Sequence, residues 1–193
     1  MPDAHGLAEW QIWPQSYAAQ LGDCVCFNFV GSLGLANLVY LTGLLGHVVY
    51  GAAALKSVQT VKDLPGIATI GITSVNIAVT KVALAPLEIF VRGILANALV
   101  CLAVYMALSV QDGISRVAVI VIGVSAFVAM GFEHSVANMF MLPAGFLASG
   151  GQLTALTMGK IGVNLVWSTL GNVVGGAGLV ALPYWWVHLR GKK

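Results

Sequence analysis

Glu133 and His134 stand side by side in an apolar run from Val117 to Leu147, interrupted near its middle by these two residues, Ser135 and Asn138. Ionisable groups at membrane depth are costly and face a pathway or a partner inside a bundle, so the pair reads as functional; the plainer alternative is a hydrogen-bonded histidine that packs helices together. On a regular helix Phe127, His134 and Asn138 fall at i, i+7 and i+11 and share one stripe, which aligns an aromatic ring, an imidazole and an amide along one path and turns Glu133 elsewhere. An imidazole with an unperturbed pKa of about 6.5, helped by backbone N–H groups freed at a helix break, suits a small anion. Glu88 and Arg92 have the four-residue spacing of an intrahelical ion pair, which serves structure or function equally well. Lys81 precedes Asn97 by 16 residues, about 24 Å of helical rise, which puts Lys81 at a membrane edge and Asn97 deep. There Lys81 either attracts anions or snorkels. Asn164 and Asn172, near Gly171, Gly175 and Gly176, read as tight helix packing with polar contacts.

Enzyme chemistry finds little support. The chain has no His-Glu-x-x-His zinc pattern and no phosphate loop. Leu147-Ala148-Ser149-Gly150 faintly resembles an intramembrane serine protease motif without its first glycine. Its candidate base, His188, lies among terminal interface residues, with Ser149 expected near the opposite surface, whereas a nucleophile needs its base within hydrogen-bond reach. Cys24, Cys26 and Cys101 make neither an even disulfide set nor a four-ligand zinc pattern. They read as buried thiols, and neither a metal nor a cofactor is expected.

The elements that must position these residues follow from composition. Of 193 residues 59% are hydrophobic and 8% charged, against about 25% charged in soluble domains. Nine Lys and Arg with seven Asp and Glu cannot clothe a water-soluble surface, whereas a bilayer needs no such coat. The chain is therefore expected to be an all-α integral membrane protein: one helical bundle of about four spanning helices at roughly 20 apolar residues each. A net charge of +2 and dispersed basic residues argue against nucleic acid as a partner. The N-terminus lacks a basic region ahead of its first apolar run, so that run is expected to stay in the membrane.

The expected spans are 25–49, 82–110, 117–147 and 161–187, in a single domain over 1–193. Residues 51–65 read as a loop, and 66–80 as an interfacial or re-entrant helix too short to cross. Pro86 falls in the first turns of the second span, where its missing N–H costs least. A continuous helix over 117–147 would be about 46 Å long, longer than a hydrocarbon core of about 30 Å, so a break near Gly131 is expected. Tyr184, Trp185 and Trp186, followed by Arg190, Lys192 and Lys193, point to a cytoplasmic C-terminus of a multi-pass protein in the cell membrane.

Two long motifs in order resemble the formate/nitrite transporter family: Gly131-Phe132-Glu133-His134-Ser135-Val136-Ala137-Asn138-Met139-Phe140, and Arg92-Gly93-Ile94-Leu95-Ala96-Asn97 running on through Leu99-Val100-Cys101-Leu102-Ala103-Val104. Two weaker stretches, Asn28-Phe29-Val30-Gly31-Ser32-Leu33 and Gly171-Asn172-Val173-Val174-Gly175-Gly176, match the flanking helices, and Lys81 falls where the family's lysine falls. The resemblance implies a pentamer of aquaporin-like six-helix protomers, each passing formate, nitrite or related monovalent anions, in many members with protons. By the same resemblance the chain matches the last four helices, and the expectation is that it starts before the family's third, without the first two. A fragment that inserts without conducting is then the alternative expectation.

The resemblance further implies that His134 is the central pore histidine and Phe127 the hydrophobic gate, with Asn97 and Asn138 at polar positions beside that histidine. It gives Lys81 the role of drawing anions to the outer vestibule and Glu133 that of tuning the electrostatics near it. A weak-acid anion crosses an apolar constriction more cheaply once neutralised, because a lone charge in hydrocarbon costs several kcal/mol or more.

Overall fold

A computed structural model describes residues 14–45, 69–151 and 153–188, and side chains between 22 and 187. Among the described residues the chain is wholly helical: α1 (Pro14–Leu41), α2 (Thr69–Val82), α3 (Pro86–Ser109), α4 (Gly113–Ala129), α5 (Ser135–Ala148), α6 (Met158–Val173), a π-helical stretch (Val174–Ala181) and α7 (Leu182–His188). Among the described residues three segments are long and apolar enough to cross a membrane, Gly22–Leu41, Pro86–Ser109 and Met158–Val187. The last runs unbroken through α6, the π-helical stretch and α7.

The helix expected at 25–49 instead starts at Pro14 and stops at Leu41. Gly43 has a φ of 74°, a left-handed conformation that stops a helix and that glycine adopts without a Cβ penalty. Gly43 thus terminates α1. Residues 46–49 and the loop expected at 51–65 lie outside the described residues.

The second expected span, 82–110, is α3, but the residues just ahead of it belong to a separate helix. α2 ends at Val82 and α3 begins at Pro86, with Ala85 extended at φ −69° and ψ 148°, as the residue before a proline prefers. Lys81 therefore closes α2 and does not share a helix with Asn97. The 24 Å separation expected along one helix axis no longer applies.

The run over 117–147 is broken where its length required. Gly131 has a φ of 65°, Gly131 N–H donates to Val128 O at 3.0 Å, and Phe132 N–H donates to Phe127 O at 3.1 Å. This Schellman arrangement ends α4 on its glycine. His134 is extended, at φ −91° and ψ 117°, and α5 starts after it. At the other end of α4, Asp112 accepts from Ser115 N–H at 2.8 Å. Hydrogen bonds from Ser115 hold the Asp112 carboxyl below the usual carboxylate range.

Packing is organised by α3 and α5. α3 carries α4 on one side and α6 with its π-helical continuation on another, while α5 packs against α1 and α2. The buried face of the last span is a helical stripe through Ile161, Asn164, Ser168, Gly171, Asn172, Gly175 and Gly176. A Cβ on Gly171 or Gly175 would collide with the carbonyl oxygens of Phe90 and Ile94, so these glycines set how closely the last span approaches α3. By contrast, a Cβ on Gly31 of α1 would meet nothing within 4 Å. Gly175→Ala should therefore destabilise the protein by about 2 kcal/mol through overpacking against backbone. Gly31→Ala should leave the midpoint of thermal unfolding in detergent unchanged or slightly raised.

Candidate functional site

The two chain breaks, one at the α2–α3 turn and one between α4 and α5, meet. Lys81 Nζ, in the last turn of α2, donates to Glu133 Oε1 in the second break at 2.8 Å. Glu133 is 1% exposed and Lys81 14%, so this ion pair is removed from bulk solvent. On a continuous helix Glu133 would face away from the Phe127 stripe; once the helix breaks at Gly131, its side chain turns inward.

Two asparagines complete the carboxylate's surroundings. Asn138 Nδ2 donates to Glu133 Oε2 and, at 2.9 Å, to Asn164 Oδ1. Asn164 Nδ2 donates to Glu133 Oε2 at 3.2 Å and to Lys81 O at 3.1 Å, so it also fastens the end of α2. Both asparagines are fully buried. Asn138 Oδ1 is buried with no hydrogen-bond partner among the described residues.

Asn172 holds the backbone of the break. Its Nδ2 donates to Glu133 O at 2.9 Å and to Gly93 O at 3.0 Å, and its Oδ1 accepts from Ser135 N–H at 2.9 Å and Ser135 Oγ at 3.1 Å. One donor freed at the start of α5 is therefore taken by protein. On α3, Arg92 Nη2 pairs with Glu88, and Nη1 donates to Gly131 O at 3.2 Å.

A cavity of about 370 Å³ opens along these breaks between α2, α3, α4 and α5. Phe127, Lys81, Glu133, His134 and Asn138 line it, joined by Arg92, Asn76, Thr80, Phe132 and apolar residues such as Ile77 and Met141. The rings of Phe127 and His134 stack with centroids 5.4 Å apart and planes at 28°. Phe127 and His134 thus face each other across the break, and not as successive members of one helical stripe. The charged groups on the lining are Lys81, Arg92 and Glu133, and each cation is paired with a carboxylate, Lys81 with Glu133 and Arg92 with Glu88.

Asn97 is placed elsewhere. Its Nδ2 donates to Asn172 O at 2.6 Å, Cys101 Sγ approaches its Oδ1 at 3.9 Å, and it lies outside the cavity lining. It reaches the site only through Asn172. Asn164, Asn172 and Arg92 have a larger part at the site than their sequence context indicates. The available signal was the shared face of Asn164, Ser168, Gly171 and Asn172 on the last span. Ser149, the nucleophile of the protease reading, is buried and donates to Phe146 O at 2.8 Å, the ordinary back-bond of a helix end. The side chain of His188 lies outside the described residues.

Comparison with known proteins agrees with this architecture. The family described as formate/nitrite transporter matches residues 4–186. The nitrite transporter NirC of Escherichia coli strain K12 is 39% identical over 190 residues, 98% of this chain and 59% of that protein. Among solved structures, an FNT family ion channel superposes with a TM-score of 0.73 at 30% identity, covering 94% of this chain and 64% of that one. A pentameric formate channel with formate bound gives 0.62 at 28%, covering 84% and 62%. The chain spans about three-fifths of the length of these proteins.

Glu133→Gln should cost about 3 kcal/mol, because it strands the Lys81 ammonium in a nearly buried position. Adding Lys81→Met should recover most of that loss. Unfolding of both single variants and the double variant in a detergent titration measures the coupling; a double-variant loss equal to the sum of the two single losses would show that the pair is not coupled.

Proposed function

The chain belongs to the formate/nitrite transporter family, and we propose that it carries small monovalent anions, formate and nitrite first among them, through a membrane along the cavity at the α4–α5 break. The observation that carries this reading is the stacked Phe127–His134 pair in the cavity at the α4–α5 break, with Lys81 on the same wall. Lys81 at the cavity wall raises the local concentration of an anion. Glu133, paired with Lys81, tempers that attraction, so an anion is attracted without being trapped, as conduction requires.

His134 is the group that meets the anion. Its imidazole donates a hydrogen bond or a proton as the ion leaves water, and a weak-acid anion so neutralised passes the Phe127 ring at far lower cost. Asn138 presents its amide on the same wall and holds Glu133 in place. Asn97 supports the site through Asn172. The lipid bilayer surrounds the chain, copies of it assemble as a pentamer, and its C-terminus faces the cytoplasm at the cell membrane. No step in this account makes or breaks a covalent bond beyond proton exchange.

The test is initial formate and nitrite flux into proteoliposomes holding the full chain, over about pH 5 to 8. Flux should saturate with anion and rise as the pH falls through the range in which an imidazole gains its proton. His134→Phe should lower the rate at acid pH by about tenfold or more and flatten the profile. Flux from His134→Phe with the wild-type pH profile, or no flux from verified, inserted wild-type protein, would overturn the reading.

A further inference from the structure

α3 presents two consecutive residues to the α4–α5 break. Gly93 O accepts from Asn172 Nδ2, the same nitrogen that donates to Glu133 O. Arg92 Nη1 donates directly to Gly131 O at 3.2 Å, while Nη2 is held by Glu88 one turn earlier. The two ends of the segment 131–133 are therefore both fastened to the same turn of α3, one through an asparagine and one through a guanidinium. Arg92 also lines the cavity, next to Gly131 and Val128, and its side chain is 36% exposed.

We infer that Arg92 is a positioning residue: its guanidinium, oriented by Glu88, clamps the Gly131 carbonyl and so keeps the break open and Phe127 stacked on His134. This rests on the transport reading above for its consequence in flux, though the clamp itself does not. The Gly131 carbonyl has left the α4 hydrogen-bond ladder. Released from Arg92, it turns to another donor, either by rotating into the cavity or by drawing the segment back toward helix. A carbonyl turned inward would set the negative end of a dipole against a passing anion, and renewed helix would part the two rings. A planar fork reaches Glu88 and Gly131 O from two nitrogens at once, a task for which lysine's single ammonium is poorly shaped. Arg92 spends its charge on the backbone and on Glu88, so its main effect is on the rate of passage and not on anion capture.

Arg92→Lys, Arg92→Gln and Glu88→Gln in the full chain, reconstituted in lipid nanodiscs, test the clamp by amide hydrogen exchange. Peptides covering 130–135 should exchange about tenfold faster in both Arg92 variants and about threefold faster in Glu88→Gln, with α6 unchanged. In proteoliposomes both Arg92 variants should lower the maximum formate rate by about tenfold and leave the half-saturating concentration within about twofold. Unchanged exchange over 130–135 overturns the inference. So does a pattern in which Arg92→Lys behaves as wild type while Arg92→Gln raises the half-saturating concentration in a salt-dependent way, since that marks Arg92 as an anion attractor. Faster exchange over 130–135 alongside a wild-type chain without flux would uphold the clamp and reject the transport reading.

Discussion

A helix that stops and restarts at membrane depth exposes backbone donors and acceptors that hydrocarbon cannot satisfy, and each one left bare costs several kcal/mol. Here side chains from other helices meet part of that demand between Met130 and Ser135. Asn172 takes the Glu133 carbonyl and the Ser135 amide, Arg92 takes the Gly131 carbonyl, and Asn164 takes the Lys81 carbonyl at the neighbouring break. These bonds decide where Glu133 and His134 point, and so the geometry of the cavity depends on them. The close approach of the last span to α3 through Gly171 and Gly175 has the same purpose, because it brings Asn172 within reach of both Gly93 and Glu133.

The electrostatics follow from the backbone. A buried carboxylate is tolerable only when paired and hydrogen-bonded, and Glu133 has Lys81, Asn138 and Asn164 around it. Of the site's charged groups, Lys81 and Arg92 reach the cavity wall while each is also tied to a carboxylate. The Phe127 ring stacks on the His134 imidazole in the wall of this cavity. Polar residues thus do two jobs in one small volume: they satisfy the broken backbone, and they set the potential an ion would meet.

Much of this was legible in the residues. The excess length of the apolar run over 117–147, with Gly131 inside it, announced the break, and the low charge content announced the membrane. The motif around Glu133 and His134 announced the family. What stayed hidden was directional. Helical periodicity assumes an unbroken helix, so it set Glu133 apart from Asn138, whereas the two are hydrogen-bonded. The same assumption put Lys81 on the Asn97 helix, because Pro86 looks like an ordinary first-turn proline and gives no sign that the three residues before it leave the helix. Asn164 and Asn172 looked like packing residues since nothing local reveals that their partners lie 31 and 39 positions away, at Glu133. Asn97, placed by resemblance beside the histidine, faces the last span instead.

The central claim is that His134 meets the anion. It is tested most directly by nitrogen-15 NMR of the reconstituted chain with labelled histidine, its four imidazoles assigned by single substitutions, during a formate titration. The account expects the His134 resonances to move saturably with formate, with a half-saturating concentration matching that of flux, while the other three stay still. A His134 signal unmoved at formate concentrations that saturate flux would contradict it.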